Sequence, residues 1–253
     1  MPRGKCNLYD FGVAVSLAIR WPKQVPAGRV VEDFVCLPDL SPTFLEAGGV
    51  PVPEVMTGRS LMPVLKSKQA GQVDASRDFV VVGRERHVAT VRAGNLPYPQ
   101  RAIRTKDFLY IRNFKPDRWP MGEGSGYGRP AAGAIPFEDL REDTYAAFGD
   151  MDASPSKAWL FTHRDEPAVT PYFDYAFARR PGEELYDLSS DPDCLVNVAE
   201  EMRYQTQREE LSKRLLTVLT ETGDPRVTGN GETFDKPPFS DVPETPARRR
   251  RRE

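Results

Sequence analysis

The chain has 253 residues and a formal net charge of −2, enough for one large domain or two small ones and without the basic field that would draw it to nucleic acid. Its mean hydropathy is −0.53, and no apolar run approaches the roughly 18 residues of a membrane-spanning helix, so neither nucleic acid nor membrane is expected as a partner. The 24 prolines divide it into short elements joined by long connections.

The opening Met1-Pro2-Arg3-Gly4-Lys5 lacks the apolar core of a secretory signal. It leads at once into Val13–Ile19 (VAVSLAI), where valine, leucine and isoleucine alternate with alanine and serine. A segment with no truly polar face reads as a strand inside a covered sheet. Without sheet neighbours on both sides it would expose an apolar edge, so poor solubility of the isolated chain is expected. Val30–Leu37 reads as a weaker extended piece. A short helix follows, with Ser41 as its cap, Pro42 at its first position and Gly48-Gly49 ending it. Phe79–Val82 is a short apolar run expected as another buried strand. It opens into the polar stretch Gly83-Arg84-Glu85-Arg86-His87, just past a strand's C-terminal end, where open α/β sheets bind ligands.

Residues 102–104 and 108–112, separated by Thr105-Lys106-Asp107, predict a β-hairpin. The Gly-, Pro- and Asp-rich stretch 117–182 shows no sustained period and reads as long loops with one helical turn near Pro136–Phe148. Glu184–Leu188 predicts a strand. A helix is then expected from an Asn197 cap, with Glu200 three residues on, to about Thr222, with Leu211, Leu215, Val218 and Leu219 as its apolar stripe and Gly223 and Pro225 as its stop. The Arg248–Arg252 run reads as a solvated tail rather than a nuclear signal. The three cysteines, Cys6, Cys36 and Cys194, form no CxxC pair, and their odd number argues against a full disulfide framework. A zinc site is not expected, and buried or spare thiols are.

Gly4–Gly12 (GKCNLYDFG), Arg20-Trp21-Pro22, Pro26–Val30 (PAGRV), Leu37–Leu45 (LPDLSPTFL), Thr57–Leu61 (TGRSL) with Pro63-Val64-Leu65, and Glu184–Leu188 (ELYDL) with Asp191-Pro192 and Asn197 together resemble the sulfatase family in order and spacing. Leu96–Arg104 (LPYPQRAIR) is similar to the heparan N-sulfatase (sulfamidase) branch. The resemblance covers residues 4–65 and 183–222. It implies an α/β fold: the C-terminal part of an alkaline-phosphatase-like sulfatase sheet over residues 1–95, then a subdomain over 96–223 with a small antiparallel sheet, long loops and a packed terminal helix, then a tail over 224–253. Family members are typically lysosomal, periplasmic or secreted.

The resemblance also implies a mechanism. A cysteine or serine oxidised to formylglycine attacks sulfur, a calcium ion binds the sulfate oxygens, and Lys, Arg and His side chains neutralise the charge that develops. Lys5 matches the cation of that scheme and is the candidate catalytic residue, set against an ordinary exposed lysine. His87, Arg84, Glu85, Arg86 and Arg101 are candidate substrate-binding residues. For His87 a structural role stands beside the functional one, and for Arg101 a carboxylate partner within the fold does. The partner implied is a sulfated glycan or small sulfate ester. The formylglycine motif Cys/Ser-x-Pro/Ala-x-Arg is departed from at every cysteine: Cys6 is followed by Asn-Leu-Tyr-Asp, Cys36 by Leu-Pro-Asp-Leu and Cys194 by Leu-Val-Asn-Val. The family's paired aspartates for calcium are missing too. Formylglycine and calcium are therefore implied for a complete family member, none is expected to be held by this chain alone, and a fragment inactive by itself is the expectation. A non-catalytic module that binds sulfated glycans, and a phosphate or phosphonate ester hydrolase of the same superfamily, are the alternatives.

Overall fold

The computed structural model describes residues 3–125 and 135–237, which form two units. The first comprises Met1–Ala14, Val82–Ala102 and Phe108–Glu253, and the second Val15–Val81 and Ile103–Asp107. In chain order the helices are α1 (Asp10–Val13), α2 (Leu40–Ala47), α3 (Met62–Lys66), α4 (Phe137–Glu142), α5 (Pro155–Thr162), α6 (Thr170–Phe177), α7 (Gln205–Glu221) and α8 (Pro225–Thr228). The strands are β1 (Phe79–Arg84), β2 (Gln100–Thr105), β3 (Phe108–Asn113) and β4 (Glu183–Asp187), in one sheet of order β1-β2-β3-β4.

The hairpin expected around Lys106 is formed by β2 and β3. β4 pairs antiparallel with β3, placing Leu109 opposite Tyr186 and Ile111 opposite Glu184. Because side chains alternate across a strand, Leu109, Ile111 and Tyr186 share one face. They pack with Leu8 and Tyr9 of the N-terminal segment and with Ala102 and Cys194. Glu184, 1% exposed, is tolerated there because it accepts from three donors: Tyr9 Oη (2.7 Å), Tyr186 Oη (2.6 Å) and Asn113 Nδ2 (2.7 Å). From the opposite face, the Tyr110 hydroxyl lies 3.0 Å from Ser212 Oγ of α7. Leu211, Leu215 and Leu219 of α7 are buried, as the apolar stripe predicts.

Three expectations are corrected. Val13–Ile19 is not a strand: α1 ends at Val13, and Val15, Leu17 and Ile19 are exposed, because no described strand pairs with them and an unpaired backbone has no ladder to join. Residues 117–182 are largely loop, with α4 where one helical turn was expected, but they also hold the unanticipated helices α5 and α6. α4, α5 and α6 surround a second core in which Phe148 stacks on Phe177 at 4.3 Å and meets Trp119, Phe161 and Phe173 edge-on. Helices of six to eight residues are too short to show a period, and tertiary packing forms them instead. Asn197 caps no helix. Its Oδ1 accepts from Leu185 N (2.8 Å) and Ala199 N (3.1 Å), and α7 starts at Gln205. The Arg248–Arg252 run lies outside the described residues.

The second unit is organised by Asp39. Its carboxylate accepts from Arg59 N (2.8 Å), Cys36 N (3.2 Å) and the buried Arg77 Nη1 (2.8 Å), so it is a structural hub. α2 ends at Gly48 as anticipated, but it begins at Leu40, before Ser41. Of the Val30–Leu37 extended piece, Val31 forms an isolated parallel bridge with Gly71.

α5 is set by its first residues. Ser154 Oγ accepts from Lys157 N at 3.2 Å, and Pro155 occupies the first turn. Ser154→Ala is expected to lower stability by about 1 kcal/mol, the usual value of an N-cap, measured as a shift in the urea midpoint at unchanged slope.

Candidate functional site

The motif GKCNLYDFG folds back on itself. Asn7 N donates to Gly4 O (3.1 Å) and Gly12 N to Tyr9 O (2.7 Å). A Cβ at Gly12 would lie 2.5 Å from Asn7 O and 2.6 Å from Gly4 O, so only glycine permits this turn. Asn7 Nδ2 donates to Gly4 O and Lys5 O, both at 3.2 Å. Cys6 takes a left-handed conformation with φ of 70°, a strained state for a residue with a side chain. The turn is pinned by Tyr9 and Leu8 in the sheet core and presents Lys5 outward.

Two other segments meet it. From the end of β1, Arg84 Nη1 donates to Cys6 O (2.5 Å) and Arg84 Nη2 to Asp150 Oδ2 (2.6 Å). Arg92 Nη2 donates to the same oxygen. Asp150 Oδ1 accepts from Val88 N, next to His87, at 3.1 Å. Asp150 is 1% exposed and carries two buried guanidinium groups. Two residues on, Asp152 accepts from Lys5 Nζ at 2.9 Å in an exposed ion pair. Hydrogen bonding to Asp152 raises the Lys5 pKa, against a smaller effect of burial, so the ammonium is kept charged. The same bond holds the Asp152 carboxyl below the usual range, with the Lys5 charge and then His87 adding to it. Burial pushes the Cys6 thiol up, against the nearby Arg84 charge.

Lys5, Arg84 and His87 are therefore brought to one corner from segments far apart in sequence, joined through Asp150 and Asp152. The other candidates lie in an adjoining network. Arg101 donates to Asp224 Oδ2 (2.6 Å) and Glu85 Oε1 (2.8 Å), and Arg226 donates to Glu85 Oε2 (2.6 Å) and Asp235 Oδ1 (2.8 Å). Arg86 Nη2 donates to Phe234 O at 2.6 Å. Gly83 makes room for this: a Cβ there would lie 2.9 Å from Arg101 Cδ. Glu85, Arg86 and Arg101 thus fasten residues 224–235 beside the corner.

Asp150 and Asp152 were missed from sequence. The signal available was only two acidic residues bracketing Met151 in a Gly-rich stretch, which many loops share. Among the described residues no group of three or more His, Cys, Asp and Glu stands ready to hold a metal ion. The described residues therefore offer calcium no such set of ligands.

Residues 4–121 match the family model described as N-sulphoglucosamine sulphohydrolase, C-terminal. The match is to a sulfatase family model and covers just under half of this chain. It is 29% identical over 238 residues to the N-sulphoglucosamine sulphohydrolase of Homo sapiens, covering 89% of this chain and 40% of that protein. It is 27% identical over 221 residues to an ulvan-active sulfatase of Formosa agariphila, covering 87% of this chain and 36% of that protein. The chain thus spans well under half the length of these sulfatases. A protein solved in complex with its substrate D-glucosamine-2-N,6-O-disulfate superposes with a TM-score of 0.50 at 20% identity, over 83% of this chain and 29% of that one, which is a likeness of fold. The fold is accordingly alkaline-phosphatase-like, with mixed helix and strand and the four-stranded sheet carrying α7.

Proposed function

We propose that this chain supplies the sulfuryl-binding wall of a sulfatase of the heparan N-sulfatase kind, acting on sulfate esters or sulfamates of sulfated glycans. The observation that supports it is the convergence of Lys5, Arg84 and His87 at one corner past the end of β1. Lys5 Nζ is solvent-exposed and charged, and among the described residues its carboxylate contact is the equally exposed Asp152. Such a pair is weak in water, so an incoming sulfuryl oxygen competes for the ammonium at little cost. Buried Arg84 keeps the Cys6 carbonyl, and hence the turn bearing Lys5, in place. His87, exposed at the rim, is the proton-carrying candidate for the leaving atom. Glu85, Arg86 and Arg101 are proposed to act on substrate by fixing the shoulder from which Arg84 and His87 project.

Formylglycine, as nucleophile, and calcium are the groups the family would bring to the sulfuryl group. Cys6, Cys36 and Cys194 lack the required context, and although Ser16-Leu17-Ala18-Ile19-Arg20 meets the bare spacing, no group of acidic side chains able to hold a metal stands among the described residues, so this chain alone is proposed to bind and not to turn over.

Calorimetric titration of the full chain with glucosamine N-sulfate at low salt tests the reading. Saturable binding is expected, weakened about tenfold by Lys5→Ala through loss of one charge-assisted hydrogen bond. A flat titration, or equal binding by the variant, overturns it. Release of free sulfate by the purified chain would contradict the non-hydrolytic part.

A further inference from the structure

Lys157, the third residue of α5, is 1% exposed. Lysine is almost never so buried unless paired, yet its ammonium is hydrogen-bonded to three backbone carbonyls and no carboxylate: Thr144 O at 2.9 Å, Met151 O at 2.8 Å and Phe148 O at 3.3 Å. Asp143 and Asp152 act on it through space, but burial dominates and pulls its pKa down to about 8. All three acceptors belong to the irregular segment between α4 and α5, in which Phe148 is held in a left-handed conformation, φ 43°. An irregular loop has no ladder of its own to satisfy its carbonyls, and here one side chain donates to three, of which Phe148 O also accepts from Met151 N at 2.9 Å.

The loop so gathered carries Asp150 and Asp152 on either side of the clamped Met151 carbonyl. From Asp150 the chain of bonds runs to Arg84 Nη2 and from Arg84 Nη1 to Cys6 O, and Asp152 reaches Lys5. We propose that Lys157 is a positioning residue, whose ammonium fixes the Thr144–Asp152 loop and through it the placement of Lys5, Cys6 and Arg84. What that corner binds rests on the sulfuryl-binding reading above, whereas the clamp itself does not.

The chain's own cysteines report on it. Cys6 is half-buried against the α4–α6 core, while Cys194 is buried in the separate core beneath the sheet. Iodoacetamide labelling of the folded full chain near neutral pH, read cysteine by cysteine by mass spectrometry, is expected to be about tenfold faster at Cys6 in Lys157→Met, with Cys194 unchanged, because local opening is confined to the unclamped loop. Lys157→Gln, which keeps two N–H donors without the charge, is expected to give a smaller rise, again at Cys6 alone. Asp150→Asn, which weakens the next link, is expected to reproduce the Cys6 pattern. An unchanged Cys6 rate in both Lys157 variants, or Cys6 and Cys194 rising together, overturns the proposal. No ligand enters the measurement, so a flat sulfated-sugar titration leaves it standing, and its own failure leaves the sugar reading intact.

Discussion

Asp150→Ala is expected to destabilise the protein by about 3–5 kcal/mol, the cost of leaving buried charge uncompensated. The Asp150 carboxylate is enclosed, with Arg84 8% and Arg92 3% exposed around it. Among the described residues Arg84 has no other carboxylate as a hydrogen-bond partner, and Arg92 donates otherwise to the carbonyls of Trp119 and Pro120. Removing Asp150 therefore strands two guanidinium groups and the Val88 amide at once, in a place water does not reach. Burial already lowers the Arg84 pKa despite the stabilising field of Asp150. Urea denaturation measures the change, with Asp152→Ala as the contrast: that side chain is exposed, and its loss is expected to stay within about 0.5 kcal/mol. An Asp150→Ala protein as stable as the wild type would show that the pairing is dispensable.

The isolated chain is expected to self-associate, and replacing Val15 and Leu17 by lysine is expected to raise its monomer fraction several-fold. Val15 is 67% and Leu17 48% exposed, followed by Ile19 at 38%. These three alternate with Ser16 and Ala18 in a segment without regular secondary structure. The second unit also exposes Val30, Phe44 and Val55. An exposed, unpaired apolar segment is a template for intermolecular strand pairing. Light scattering after size exclusion measures the monomer fraction, and circular dichroism checks that helix content is unchanged. A wild-type chain that elutes as a monomer and melts in one sharp step would refute the expectation.

The segment Val13–Ile19 also shows where sequence reading stops. Its pattern states correctly that no face is polar, but whether it becomes a strand depends on a partner backbone, which local sequence does not encode. The α4–α6 region fails in the other direction. Its helices are too short for a period, and they exist because Phe148, Phe161, Phe173 and Phe177 meet in space. The candidate site divides in the same way. Lys5, Arg84 and His87 were visible because they stand beside a tight glycine turn and a strand end, both of which have local signatures. Asp150, Asp152 and Lys157 were invisible because their roles consist of contacts with residues 58 or more positions away, or with backbone carbonyls that any loop possesses.

Sequence alone determined the sulfatase resemblance, the β2–β3 hairpin, strand β4 and the apolar stripe of α7, since each is written in local spacing or in an ordered set of short motifs. Only the tertiary structure decided that Asp150 joins Arg84 to Arg92, that Asp152 meets Lys5, and that Glu85 and Arg101 hold residues 224–235. Ion pairs and hydrogen bonds between distant segments follow from how the chain is folded together, and a charged side chain carries no mark of which opposite charge it will find.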